Sequence, residues 1–160
     1  FRKRGWTMEC SPSDETSTKP SAGVGIMVQD DLVKLIPTEI ITEGFRHFHQ
    51  QGRVAKYLCD LGWEEQICII VCYGKSGCGQ DNKNVTEELD NAVKEEQERL
   101  ATPTFVAGDF NEEPDSIDNF GEMFDEGWTD LGARAEWWGE SQGSQHVGAE
   151  RAPNHQGLMV

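Results

Sequence analysis

The run Gln66-Ile67-Cys68-Ile69-Ile70-Val71-Cys72-Tyr73 is apolar at nearly every position, and it constrains the fold more than any other stretch of the chain. A strand with one wet face alternates apolar and polar residues. A strand that is apolar throughout needs cover on both faces. The run is far shorter than the ~20 residues a helix needs to cross a bilayer, so no membrane partner is expected. Just upstream, residues 52–60 alternate imperfectly, with Val54, Tyr57 and Cys59 set against Arg53, Lys56 and Asp60. Gly62 to Glu65 supplies the turn between the two segments. The pair reads as a hairpin, which makes the sheet at least partly antiparallel.

The flanking segments read as cover for that sheet. Gly23 to Val28 reads as a strand ended by Asp30 and Asp31, and residues 32–41 as a weaker strand or loop limited by Pro37. Residues 9–22, rich in Ser, Thr, Pro and charge, read as a surface loop. Gly74 to Lys83 reads as a polar loop. Asn84, with Glu87 three residues on, has the pattern of a capping box. Val85, Leu89, Ala92, Val93 and Leu100 then follow at helical spacing, and Pro103 closes the helix. Thr104 to Ala107 is a short apolar strand. Ile117, Phe120 and Phe124 mark a second helix, and residues 128–131 a possible strand start. The alternation of strands and helices gives an α/β layered architecture, with helices on a mixed, mostly antiparallel sheet. Residues 1–132 are read as the core of this domain and 133–160 as a polar C-terminal segment of it. The chain opens on Phe1, and it is expected to begin inside a longer one.

The formal net charge of −15, from 14 basic and 29 acidic residues, argues against a passive nucleic-acid coat protein. It leaves room for an enzyme that meets phosphate through a divalent cation, because such an ion inverts the local field. Five cysteines with no CxxC pair indicate neither a zinc site nor a disulfide framework. Cys68 and Cys72 read as buried thiols, which fits a reducing, intracellular setting. His47 and His49 alternate on one face of what reads as a strand. With no third ligand at useful spacing, they are taken as solvated or structural. Trp6, Trp63 and Trp128 are expected in the core, and Trp137-Trp138 in an exposed patch.

The segment with chemistry in it is Phe105-Val106-Ala107-Gly108-Asp109-Phe110-Asn111. A buried strand fixes the backbone, and Gly108 permits close approach of another element or a substrate. Asp109 emerges as an acceptor-only carboxylate, and Asn111 brings an amide with donor and acceptor. Phe110 can turn into the core between them. Such a pair suits phosphodiester hydrolysis: the carboxylate orients or deprotonates a water, and the amide binds a phosphate oxygen without adding negative charge. The competing reading is an ordinary strand-to-turn ending, since Asp and Asn favour turns.

The strand ending in Gly108-Asp109-Phe110-Asn111 resembles the hallmark of the endonuclease/exonuclease/phosphatase superfamily. By chance, four specified residues fall in a chain of this length about once in a thousand, at ~5% per residue type. The order of the surroundings also resembles that family. A strand at Ala22 to Ile26 is followed by a hairpin whose second strand ends in Tyr73. The helix over 84–101, the Gly-Asp-Phe-Asn strand and the acidic turn Glu112-Glu113-Pro114 come next. The resemblance spans about residues 5 to 132. It implies an incomplete form of the family's four-layered α/β sandwich. It further implies that Asp109 orients or activates water, that Asn111 contacts the phosphate, and that Tyr73 touches the phosphate or leaving group.

The same resemblance implies Mg2+ or Mn2+ and a phosphodiester substrate, with DNA or RNA preferred by family analogy. The sequence departs from the family pattern in three places. No Gln-Glu pair stands before Gly23 to supply the metal-ligand glutamate. No closing Asp-His pair is present. Gly157 stands where an Arg-x-Asp motif would have its aspartate. A divalent-cation-dependent hydrolase lacking these groups is expected to be impaired. The alternative is a degenerate, non-catalytic domain acting as a binding module.

Overall fold

The computed structural model describes residues 5–12, 23–36, 38, 42–62, 65–75, 77, 79–100, 102–111, 117–131 and 156–159. The apolar run becomes β5 (Glu65–Tyr73), the middle strand of a five-stranded sheet. It pairs antiparallel with β4 (Val54–Gly62) on one side and parallel with β6 (Thr104–Asp109) on the other. The short β3 (Lys34–Ile36) and β7 (Gln156–Met159) form the two edges, each antiparallel to its neighbour. The parallel pair needs a long crossover, and α2 (Gly79–Leu100) provides it.

Both faces of β5 are covered, as its composition requires. Cys68, Ile70 and Cys72 face the helices. They join Val54, Val106, Phe110, Phe45 and Phe48 of α1 (Glu43–Gln50), and Phe120 and Met123 of α3 (Asp118–Asp125) in one buried cluster. Val85, Leu89, Ala92 and Val93 are the stripe that α2 lays on the sheet. Fully burying such a side chain contributes about 1.5–3 kcal/mol. The opposite face is thinner. Ala55, Tyr57 and Cys59 are buried there, with Ile67, Ile69 and Val71 only partly so. Its cover includes Val24 and Ile26 at the start of β2 (Gly25–Gln29), which pairs antiparallel with β1 (Trp6–Cys10) as a separate two-stranded sheet. Helices, large sheet and small sheet make an α/β stack that matches the expected incomplete sandwich. Among the described residues no helix is long and apolar enough to cross a membrane.

Several local expectations need correction. His47 and His49 lie on a helix, where residues two apart point to different sides. The helix-start signal is Thr42, whose hydroxyl accepts from the Phe45 amide at 3.0 Å. His49 Nδ1 lies 2.9 Å from the Val54 carbonyl, and His47 pairs with Gln51, so both are structural or solvated as expected. α2 starts at Gly79, five residues before Asn84, so the capping box is no cap and Asn84 sits within the helix. Glu9 and Cys10 belong to β1, not to a loop. Trp6 is exposed on the outer side of the small sheet near Met8 and Met27, whereas Trp128 packs against the helix-side core. Of residues 128–131 only Asp130 makes a β-bridge, and no longer strand follows among the described residues. Trp63, Trp137, Trp138, the acidic turn at 112–114 and most of 133–160 lie outside the described residues.

Candidate active site at the ends of β5 and β6

Tyr73 and Asp109 are register partners in the parallel β5–β6 pair. Side chains of partners stand on the same face, so the last residues of two adjacent strands present a phenol and a carboxylate side by side. Both are half-buried. Gly108 is what lets the strands close up. A Cβ there would run into the Cys72 carbonyl and Sγ, so the close approach anticipated for this glycine is to β5.

Beyond Asp109 the chain turns sharply. One carboxylate oxygen of Asp109 accepts the Asn111 amide at 3.1 Å, an Asx turn. Asn111 takes φ 53°, the left-handed region that asparagine tolerates better than most residues. Phe110 turns into the core as expected, 3% exposed, its ring edge-on to Phe120 at 4.8 Å. A carboxylate can accept about four hydrogen bonds, and this turn gives Asp109 one of them.

The amide of Asn111 is less available than the sequence implied. Its Nδ2 donates to the Gly74 carbonyl, so one of its two N–H groups is committed to the neighbouring strand end. The Gly74 amide in turn donates to the Asp109 carbonyl at 2.6 Å. Gly74 has no room for a side chain, because a Cβ would strike the Phe110 carbonyl. Asp109, Asn111 and Gly74 therefore form one hydrogen-bonded unit across the two strand ends.

Residues invisible to motif reasoning back this unit. Arg53 is fully buried. Its guanidinium donates to the Tyr73 carbonyl at 3.1 Å, to Asn82 Oδ1 at 2.7 Å and to the Asp81 carboxylate. It also lies over the Phe48 ring. The only sequence cue was a basic residue placed before an apolar strand, and nothing local pointed to its partners. Cys72, behind Tyr73, is no candidate nucleophile. Burial pushes its thiol far above the ordinary range; Arg53 pulls the other way and Asp109 adds to the rise.

Mg2+ takes oxygen ligands in near-octahedral geometry, commonly one or two carboxylates with substrate phosphates. Among the described residues no group of three or more His, Cys, Asp or Glu side chains is placed to hold a metal. The strand ends bring together one carboxylate, Asp109, and the neutral side chain of Asn111. These residues do not fit a cation site by themselves. On β7, Gly157 pairs with Gly108, and Gln156 stands opposite Asp109.

This stack, with an Asp and an Asn at the end of a parallel strand, defines a fold class. No protein-family model matches the sequence, and no curated protein matches it. Solved structures do match. The catalytic domain of human Nocturnin with bound sulfate superposes with a TM-score of 0.61 at 14% identity, over 97% of this chain and 60% of that one. TDP2 of D. rerio, complexed with a single-stranded DNA product, gives 0.61 at 16% identity, over 99% and 62%. An endonuclease/exonuclease/phosphatase family protein from Bacteroides thetaiotaomicron gives 0.66 at 8% identity, over 97% and 60%. The chain shares the fold of these structures, which is the fold that the Gly-Asp-Phe-Asn resemblance implied. The chain spans about three-fifths of the length of these neighbours.

Proposed function

We propose that the ends of β5 and β6 are a phosphodiester-facing site, and that the domain is a nucleic-acid phosphodiesterase of the endonuclease-like kind, impaired in this chain. The observation that carries the reading is the juxtaposition of Asp109 with Tyr73 and Asn111 at adjacent strand ends. The fold shared with a TDP2 bound to single-stranded DNA product supports nucleic acid as the substrate class.

The residues divide the work as follows. Asp109 orients a water and accepts its proton, a role worth about 10²–10⁴-fold in rate. Tyr73 donates its hydroxyl to the phosphate or to the leaving oxygen. Asn111 stands beside Asp109 as the neutral amide that contacts a phosphate oxygen, where added negative charge would be repelled. Magnesium or manganese is the cofactor the fold class suggests, but the described donors do not fit it alone, and no step is assigned to it. That shortfall is the reason to expect slow turnover.

The test is cleavage of single-stranded DNA and RNA by the 160-residue chain with Mg2+ or Mn2+, alongside Asp109→Asn. Slow cleavage is expected, falling by about 10²-fold or more in the variant. Cleavage that persists unchanged in Asp109→Asn removes the carboxylate from the mechanism. The same incomplete donor set favours a second reading, a non-catalytic binding module. Complete absence of turnover together with oligonucleotide binding at the strand ends would select it.

A further inference from the structure

Tyr73 closes β5, and Gly74-Lys75 leave the sheet before α2 begins without belonging to any regular element. Buried backbone polar groups need partners, so its hydrogen bonds can be accounted for one by one. The Tyr73 amide donates to the Arg53 carbonyl at 2.8 Å, and the Tyr73 carbonyl accepts from Arg53 Nε. The Gly74 amide and carbonyl go to the Asp109 carbonyl and the Asn111 side chain. The Lys75 amide donates to Asn82 Oδ1 at 2.8 Å, and its carbonyl accepts from Asn82 Nδ2 at 2.9 Å. All six groups are held from outside. Arg53 brackets the first residue and Asn82 the third, and the guanidinium ties the two brackets together.

We propose that Arg53 and Asn82 are positioning residues for the site: they hold Tyr73–Lys75 from behind in the one conformation that lets Gly74 bridge Asp109 and Asn111. The inference rests on the reading of those strand ends as the site, but the hold itself can be measured without turnover. Arginine is required by geometry. Its planar fork reaches three acceptors on two segments, whereas a lysine ammonium is a compact point charge on a flexible stem. A buried guanidinium is costly unless fully paired. Here Asp81, itself part-exposed, supplies the opposite charge. Asn82 supplies both an acceptor and a donor to one residue's backbone, a match that few side chains can make.

The experiment is amide hydrogen exchange and side-chain amide NMR on the full chain and on Arg53→Lys, Asn82→Ala and Asn82→Asp, with urea unfolding measured in parallel. In Asn82→Ala, exchange at Lys75 should rise by about fivefold more than exchange at Val54 and Val106, the factor that loss of one hydrogen bond of about 1 kcal/mol gives. The Asn111 side-chain resonances should shift or broaden in the same variant. Asn82→Asp keeps the acceptor for the Lys75 amide but loses the donor to its carbonyl, so it should restore only part of that protection. Arg53→Lys should loosen Tyr73 and Lys75 together; if it does not fold, the two Asn82 variants carry the test. The proposal is overturned if protection of 73–75 falls only in step with global stability, or if Asn111 is unmoved. Where wild-type cleavage is measurable, Asn82→Ala should lower kcat with little change in KM. Failure of all cleavage would sink the phosphodiesterase reading and leave the exchange result standing.

Discussion

The ends of β5 and β6 lie side by side, yet they are held in different ways. The β6 end is fixed by its own sequence: Asp109 caps Asn111 two residues on, Asn111 adopts the left-handed turn, and the ring between them anchors in the core. The β5 end is fixed by groups far away in the chain. Arg53 is 20 residues from Tyr73, and Asn111 is 37 residues from Gly74. A locally held end can form early and survive changes elsewhere. A remotely held end is only as ordered as the elements that deliver its partners.

Breaking the β6 end should have the largest effect. Phe110→Ala removes a ring that is 3% exposed and packed on Phe120, and should cost about 3–5 kcal/mol in urea unfolding. A loss below ~1 kcal/mol would mean the ring is not the anchor. Forcing the two ends apart comes next. Gly74→Ala places a Cβ against the Phe110 carbonyl and should destabilise by about 1–3 kcal/mol. The exchange protection of Asn111 should fall in the same protein. Asn111→Ala should cost about 2 kcal/mol, roughly half from left-handed strain and half from the lost bond to Gly74. Asn111→Gly keeps the permitted φ and should cost only the second half, so equal losses in the two variants would remove backbone conformation from the account.

A control away from both ends has the smallest effect. Burial lifts the Tyr57 hydroxyl from its ordinary 10.0 to about 12, with Cys10 and Glu9 adding to the rise. The unfolded chain therefore releases this proton first. The stabilisation is complete below about pH 10 and is lost as the pH rises through about 12, amounting to about 1 kcal/mol by pH 11. Tyr57→Phe should flatten that part of the pH–stability curve. A curve unchanged between the two proteins would show that Tyr57 is not the group responsible.

The same local-versus-remote contrast explains what could be read from the sequence. β5, β6, the apolar stripe of α2 and the Asp109–Asn111 turn were legible because each is written in adjacent or periodic residues. The resemblance carried by Gly108 to Asn111 led to the correct fold class. The start of α2 was misread because its first turn is set by the Arg53 and Asn82 contacts, while Asn84 and Glu87 offered a plausible but unused cap. α1 was misread because two histidines at alternate positions imitate a strand pattern. Arg53 could not be found at all, since its partners at 73, 81 and 82 become neighbours only after the hairpin and crossover have formed. The limited availability of the Asn111 amide was hidden for the same reason.

The central claim is that these strand ends meet a nucleic-acid phosphodiester. Titrating the 15N-labelled chain with a short single-stranded oligonucleotide in Mg2+ tests it directly. The expected result is a set of shifts confined to residues 73–75 and 109–111, sharply reduced in Asn111→Ala. Shifts centred on another surface, or no shifts at any oligonucleotide concentration, would contradict it.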